Sequence, residues 1–140
     1  MRPFVRSFVL CAVLFAGLSL GLAAQEQTAD EKKAEKEFNE SIERELDRLT
    51  RLLDLEDWQV FYVDSILVHD YKAMQAELAE LQKQKVTNTN MYYDVQYKWM
   101  DKIYDAYGKL LDEDQWAKYL KSGAAREKKT RDKFREKQKR

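Results

Sequence analysis

Cysteine, proline and glycine are nearly absent: one Cys, one Pro and four Gly in 140 residues. Cys11 stands alone, which excludes an internal disulfide and any site built from several thiolates. Pro3 lies at the extreme N-terminus, and only Gly108 and Gly123 fall beyond residue 24. A β-rich or α/β domain of this size needs more turn residues than that. No glycine-rich phosphate loop is present. His69 is the single histidine, and Ser41, Ser65 and Ser122 are the only serines after residue 24. A catalytic histidine needs a nucleophile and an orienting partner, and an acidic run such as Asp112-Glu113-Asp114 lacks the spacing of a calcium loop. The expectation is therefore a protein without catalytic residues, cofactor or metal, with His69 an ordinary helix-surface residue. What remains is rich in Glu, Lys, Leu, Ala and Gln, the composition of an all-α protein.

The first 24 residues differ from the rest. Arg2 and Arg6 precede an apolar run from Phe8 to Leu22, and Ala23-Ala24 then leads into polar Gln25-Glu26-Gln27. This order is that of an export signal cleaved after residue 24, giving a periplasmic or secreted protein. The alternative is a retained N-terminal anchor, although the run is shorter than the roughly 20 residues of a membrane span and is interrupted by Gly17 and Gly21. Leu10 before Cys11 is too large for a lipid-anchor signal. The mature chain, residues 25–140, has room for one small domain.

Charge is balanced over the whole but not along it. Residues 25–125 carry 14 Lys and Arg against 22 Asp and Glu, whereas residues 126–140 carry nine against three. The body is acidic and the tail basic, so nucleic acid is not an expected partner. The tail is expected to touch an anionic surface or the body, or to fray in solvent.

Residues 25–37 show no apolar stripe and read as a flexible polar lead-in. From residue 38 to 125 a helical domain is expected. Phe38, Ile42, Leu46, Leu49 and Leu53 mark the first helix by their spacing of three and four. A second, from about Glu56 to Lys83, carries Val60, Val63, Leu67, Tyr71, Met74, Leu78 and Leu81 and is about 40 Å long at the usual rise. The polar break at residues 85–90 offers Thr87, Asn88 or Asn90 as cap for a third helix. That helix has two apolar rows side by side, one through Val95, Trp99 and Ile103, the other through Tyr93, Tyr97, Tyr104 and Tyr107. A fourth starts near Asp112 and either ends at Gly123 or runs on to Phe134.

Two helix corners look alike. Leu52-Leu53-Asp54 precedes Trp58, and Leu110-Leu111-Asp112 precedes Trp116, a repeat at 58 residues in which each Asp caps the next helix. In a second register, Leu55-Glu56-Asp57-Trp58-Gln59 and Leu111-Asp112-Glu113-Asp114-Gln115 repeat at 56 residues. In this register the chain resembles the Spy/CpxP family of periplasmic helical proteins, whose two Leu-Thr-x-x-Gln motifs each open a helix after a sharp corner. Leu55 and Gln59, then Leu111 and Gln115, match; Glu56 and Asp112 stand where the family has Thr. Asp112 caps well, whereas Glu caps poorly, so Asp54 is the expected cap of the second helix. The resemblance implies four helices joined as hairpins into a thin, homodimeric cradle, and an ATP-independent chaperone-like or envelope-stress function.

All three Trp, all eight Tyr and Phe61 lie between residues 58 and 119. A thin helical protein has too little core for so many rings, and Tyr and Trp suit wet, adaptable interfaces. Trp58, Tyr62, Tyr93, Tyr97, Tyr104, Tyr107 and Trp116 are the candidate contacts for apolar segments of unfolded or partner proteins of the cell envelope. A homodimer interface explains the same rings equally well. The other readings are an adaptor for one dedicated envelope partner and a regulator of a membrane sensor.

Overall fold

The computed structural model describes the backbone of residues 19–140 and the side chains of residues 29–140. Most of the candidate export signal, residues 1–18, lies outside the described residues. The described chain is all-α, with four helices and no strand among the described residues. None of these helices is long and apolar enough to cross a membrane.

Helix α1 spans Ser19–Leu53, so residues 25–37 are helical and not a loose lead-in. The absence of an apolar stripe misleads here, because Ala, Glu, Lys and Gln favour helix on their own and no Gly or Pro occurs between Gln25 and Leu53. Two compact units divide the chain at residues 41 and 42. In the first, residues 29–37 of α1 are exposed and Phe38 is buried, with a Lys36–Glu40 pair at 3.8 Å and Ser41 Oγ donating to the Phe38 carbonyl at 2.7 Å.

The second unit, residues 42–140, holds the rest of α1, helix α2 (Asp57–Lys83), helix α3 (Thr89–Leu110) and a kinked fourth helix. The kinked helix consists of α4 (Glu113–Tyr119), a π-helical turn (Leu120–Ala124) and α5 (Ala125–Gln138). Leu49 and Leu53 of α1 and Val63 and Leu67 of α2 are its most deeply buried side chains, each contributing about 1.5–3 kcal/mol by leaving water. Trp99, Ile103 and Tyr107 of α3 complete the core.

Glycine is replaced where it is usually found. Helix α1 ends with the Leu55 N–H bonded to the Thr50 carbonyl at 3.2 Å, and α2 ends with the Val86 N–H bonded to Leu81 at 3.0 Å. Both are the six-residue closure that needs a left-handed residue between. Those residues are Asp54 (φ 53°) and Lys85 (φ 55°). Asp54 therefore terminates α1 and does not cap α2 as expected; a short polar side chain tolerates the left-handed well. Asn88 caps α3 by accepting from the Asn90 N–H at 3.0 Å, and the Tyr92 hydroxyl closes the turn on the Val86 carbonyl at 2.9 Å.

Gly123, at φ 122°, kinks the fourth helix, and α5 turns back along α3. The basic segment is thus docked and not fraying: Arg131, 6 % exposed, donates Nε–H to Asp101 at 2.7 Å. Arg135 pairs with the other Asp101 oxygen and donates to the Tyr97 carbonyl at 3.2 Å. Burial alone would raise the Asp101 pKa, but hydrogen bonds and charge from Arg131 and Arg135 outweigh it and hold the carboxyl below its usual range.

Two outcomes follow from this packing. Because the folded Asp101 pKa is depressed, its contribution is complete above the unfolded value of about 4 and disappears as pH falls through the folded value. Asp101→Asn should cost about 3 kcal/mol at pH 7 and flatten the acid limb of stability below about pH 4, measured by urea unfolding across pH. Asp54→Gly and Lys85→Gly should each raise the unfolding free energy by about 1 kcal/mol, since glycine enters the left-handed well without strain.

Candidate functional site

The two helix corners meet at one end of the second unit. At the first, Glu56 is the N-cap of α2; Gln59, three residues on, turns its side-chain oxygen back to the Glu56 N–H at 3.0 Å. At the second, Asp112 caps α4: it accepts from the Gln115 N–H at 2.8 Å, and Gln115 Oε1 returns to the Asp112 N–H at 3.1 Å. These are capping boxes, in which two orphan helix donors are satisfied in exchange. Leu55 and Leu111, just before each cap, are buried.

Gln59 and Gln115 then bond to each other. Gln59 Nε2 donates to Gln115 Oε1 at 2.7 Å, and Gln115 Nε2 donates to Gln59 Oε1 at 2.8 Å. The second proton of each amide goes to the opposite corner: Gln59 to the Leu110 carbonyl at 3.3 Å, Gln115 to the Asp54 carbonyl at 3.5 Å. Each amide thus makes two donor and two acceptor bonds, its full capacity, although the residues are only 3 % and 6 % exposed. Leu55, Gln59, Leu111, Asp112 and Gln115 are all brought together, and the structural repeat is the 56-residue register.

The 58-residue register does not survive, because the tryptophans it aligns are not equivalent. Trp58 is the second residue of α2, half exposed, with its indole N–H on the Glu56 carboxylate at 2.5 Å. Trp116 lies in the second turn of α4 and packs over Gly108, where an added Cβ would sit 3.5 Å from the indole. Its ring is 4.9 Å from that of Tyr104.

The seven candidate aromatic contacts divide. Trp58 and Tyr62 remain exposed, at 50 % and 52 %, and Phe61 between them is 67 % exposed. The three rings form an edge-to-face run, 6.2 Å from Trp58 to Tyr62 and 5.6 Å from Phe61 to Tyr62. Phe61 was not among the candidates, yet its three-residue step from Trp58 puts it on that face. Tyr93 keeps one exposed side, but its ring is 5.6 Å from Phe134 and Tyr97 is 5.1 Å from it. Tyr104 packs with Trp116 and Tyr119, and Tyr107 is 2 % exposed. The tyrosine row of α3 is therefore largely not a free surface. The fourth helix covers it, using Trp116, Tyr119 and Phe134. Burial, then the neighbouring charges, push the Tyr119 hydroxyl up to about 12 and raise that of Tyr107 further.

Around the corners Asp54, Glu56, Asp57, Asp112, Glu113 and Asp114 are all exposed, beside two helix starts whose partial positive charge offsets some of their repulsion. His69, exposed on α2, has Nδ1 2.7 Å from Oδ1 of the buried Asp70, and among the described residues no group of three or more His, Cys, Asp and Glu is placed to hold a metal. Compared with known proteins, the chain matches no family model, no curated protein and no solved structure.

The reciprocal amide pair has a measurable signature. Gln59→Ala and Gln115→Ala should each cost about 2–3 kcal/mol, because each strands buried polar groups of the other corner. Replacing both glutamines by leucine should cost clearly less than the sum of the two single leucine changes, by about 1 kcal/mol or more, in urea unfolding of the four-member cycle.

Proposed function

We propose that the mature chain is an exported, ATP-independent chaperone-like protein of the Spy/CpxP type, which holds exposed apolar segments of other proteins. The observation that carries this reading is the Trp58–Phe61–Tyr62 run. Three large rings side by side on one helix face, more than half of each ring-bearing residue in water or close to it, are a costly surface for a chain to keep unless it meets a partner. Tyr and Trp give broad contact without a fixed geometry, which suits binding many sequences weakly. The carboxylates around the neighbouring corners speed encounter with segments that carry Lys or Arg, and weaken in salt. An export signal in residues 1–24 and the absence of a nucleotide-binding loop fit a compartment without ATP.

The test is light scattering from unrelated aggregating proteins, without ATP, with the purified chain near stoichiometry. Suppression should be lost in a Trp58→Ser, Phe61→Ser, Tyr62→Ser variant that keeps its helicity and its unfolding midpoint. Tyr93→Ser should weaken suppression at most slightly, because that ring is partly covered by Phe134. No suppression with any of several clients sinks general chaperoning and leaves an adaptor for one dedicated partner.

A further inference from the structure

Helix α5 has two faces, and only one of them packs against the rest of the unit. The inner face carries Arg131, Phe134 and Arg135, engaged with Asp101, Tyr93 and Tyr97 of α3. Lys128, at the flank, is neutralised by Asp132 one turn on, at 2.5 Å. The outer face carries Arg126, Lys129, Lys133 and Lys137, and Arg140 follows three residues later. At 3.6 residues per turn the first four lie within about 80° of arc and along about 17 Å of the helix axis. All five are exposed, and among the described residues none of them forms an ion pair.

This stripe selects an anion by its charge. Glu136 stands at its edge, while Glu127 and Asp132 lie about 100° or more around the helix from its centre. Net charge does not explain an attraction, because acids outnumber bases by two over residues 25–140; any pull on a polyanion is local to the stripe. The stripe also discriminates among polyanions. A protein partner is recognised through an apolar centre, yet the only aromatic or aliphatic side chain of α5 larger than Ala is Phe134, and it faces α3. Single-stranded nucleic acid is held by stacking on exposed rings, which this face lacks. A duplex groove encloses a helix between two phosphate walls and would bring phosphates onto Glu127 and Asp132. A plane of negative headgroups meets only the outer line of cations, and needs neither rings nor an apolar centre.

The geometry points to α5 as an electrostatic docking face for a bilayer containing anionic phospholipid. The helix lies along the membrane plane, with the Lys and Arg head groups among the lipid phosphates and no apolar side chain inserted. The flexible lysine stems suit headgroups that move laterally. The Trp58–Phe61–Tyr62 run takes no part, so the docking face stands whether or not those rings hold clients.

Flotation of the chain with vesicles tests this, using equimolar phosphatidylglycerol and phosphatidylcholine against phosphatidylcholine alone. At low salt the chain should float with the anionic vesicles only, and high salt should release it. Each of Lys129→Gln, Lys133→Gln and Lys137→Gln should weaken partitioning about fivefold, and the first two together about 25-fold. The unfolding midpoint should not move, because these side chains have no partner in the fold. Lys109→Gln with Lys118→Gln makes the same change in net charge on α3 and α4, and should retain most of the binding. Failure to float with the anionic vesicles, equal flotation with phosphatidylcholine alone, or equal loss in the Lys109 and Lys118 pair would overturn the proposal. So would release from the vesicles by duplex DNA or polyglutamate at equal charge concentration, which would assign the stripe to another polyanion.

Discussion

The reciprocal bond between the Gln59 and Gln115 amides is the constraint on which the second unit depends. Each glutamine first serves its own helix, by satisfying the N–H of the cap residue three positions earlier. Each then serves the other corner, by donating to a carbonyl at the end of the preceding helix. One pair of side chains thus fixes where α2 and α4 begin and holds the ends of α1 and α3 beside them. Buried amides are costly unless fully bonded, and here both are. A shift of either helix by one residue would strand both, so the register is specified as well as stabilised.

The path of the fourth helix follows from that start. Helix α4 leaves the corner with Trp116 and Tyr119 over Tyr104 and Tyr107. Gly123 then bends the chain, and α5 runs back with Arg131, Phe134 and Arg135 against Asp101, Tyr93 and Tyr97. The aromatic side chains are divided in this way. The rings of α3 become packing for the chain's own C-terminal helix, while those at the start of α2 stay open to a partner. Where the two sets do not close completely, a small polar cavity remains.

Much of this was legible in the sequence, and the failures have physical causes. The stripes of α1, α2 and α3 are amphipathic over many turns, and Asn88 and Asp112 are strong caps, so those elements and the all-α class could be read directly. The corners were legible in two competing registers: local capping chemistry favours Asp54 and the 58-residue repeat, the family resemblance the 56-residue one, and the bond between Gln59 and Gln115, distant in sequence, selects the latter. Residues 25–37 carry no stripe because periodicity reports burial, and the side chains of residues 29–37 are exposed along the helix. The tyrosine row reads as a contact surface for clients because nothing local shows that the basic segment folds back on it. That depends on Arg131 and Arg135 finding Asp101, a tertiary pairing. Phe61, by contrast, could have been found from its step to Trp58.

The most direct test of the central role of the amide pair is native-state hydrogen exchange at the Glu56 and Asp112 backbone amides. N-cap amides ordinarily exchange freely, because no intrahelical acceptor reaches them. Here each donates to a buried glutamine oxygen, so both should exchange only with global unfolding, at the free energy of the core amides of α2 and α3. Fast exchange at both positions, with the core still protected, would show that the corners open without the rest and would contradict the account.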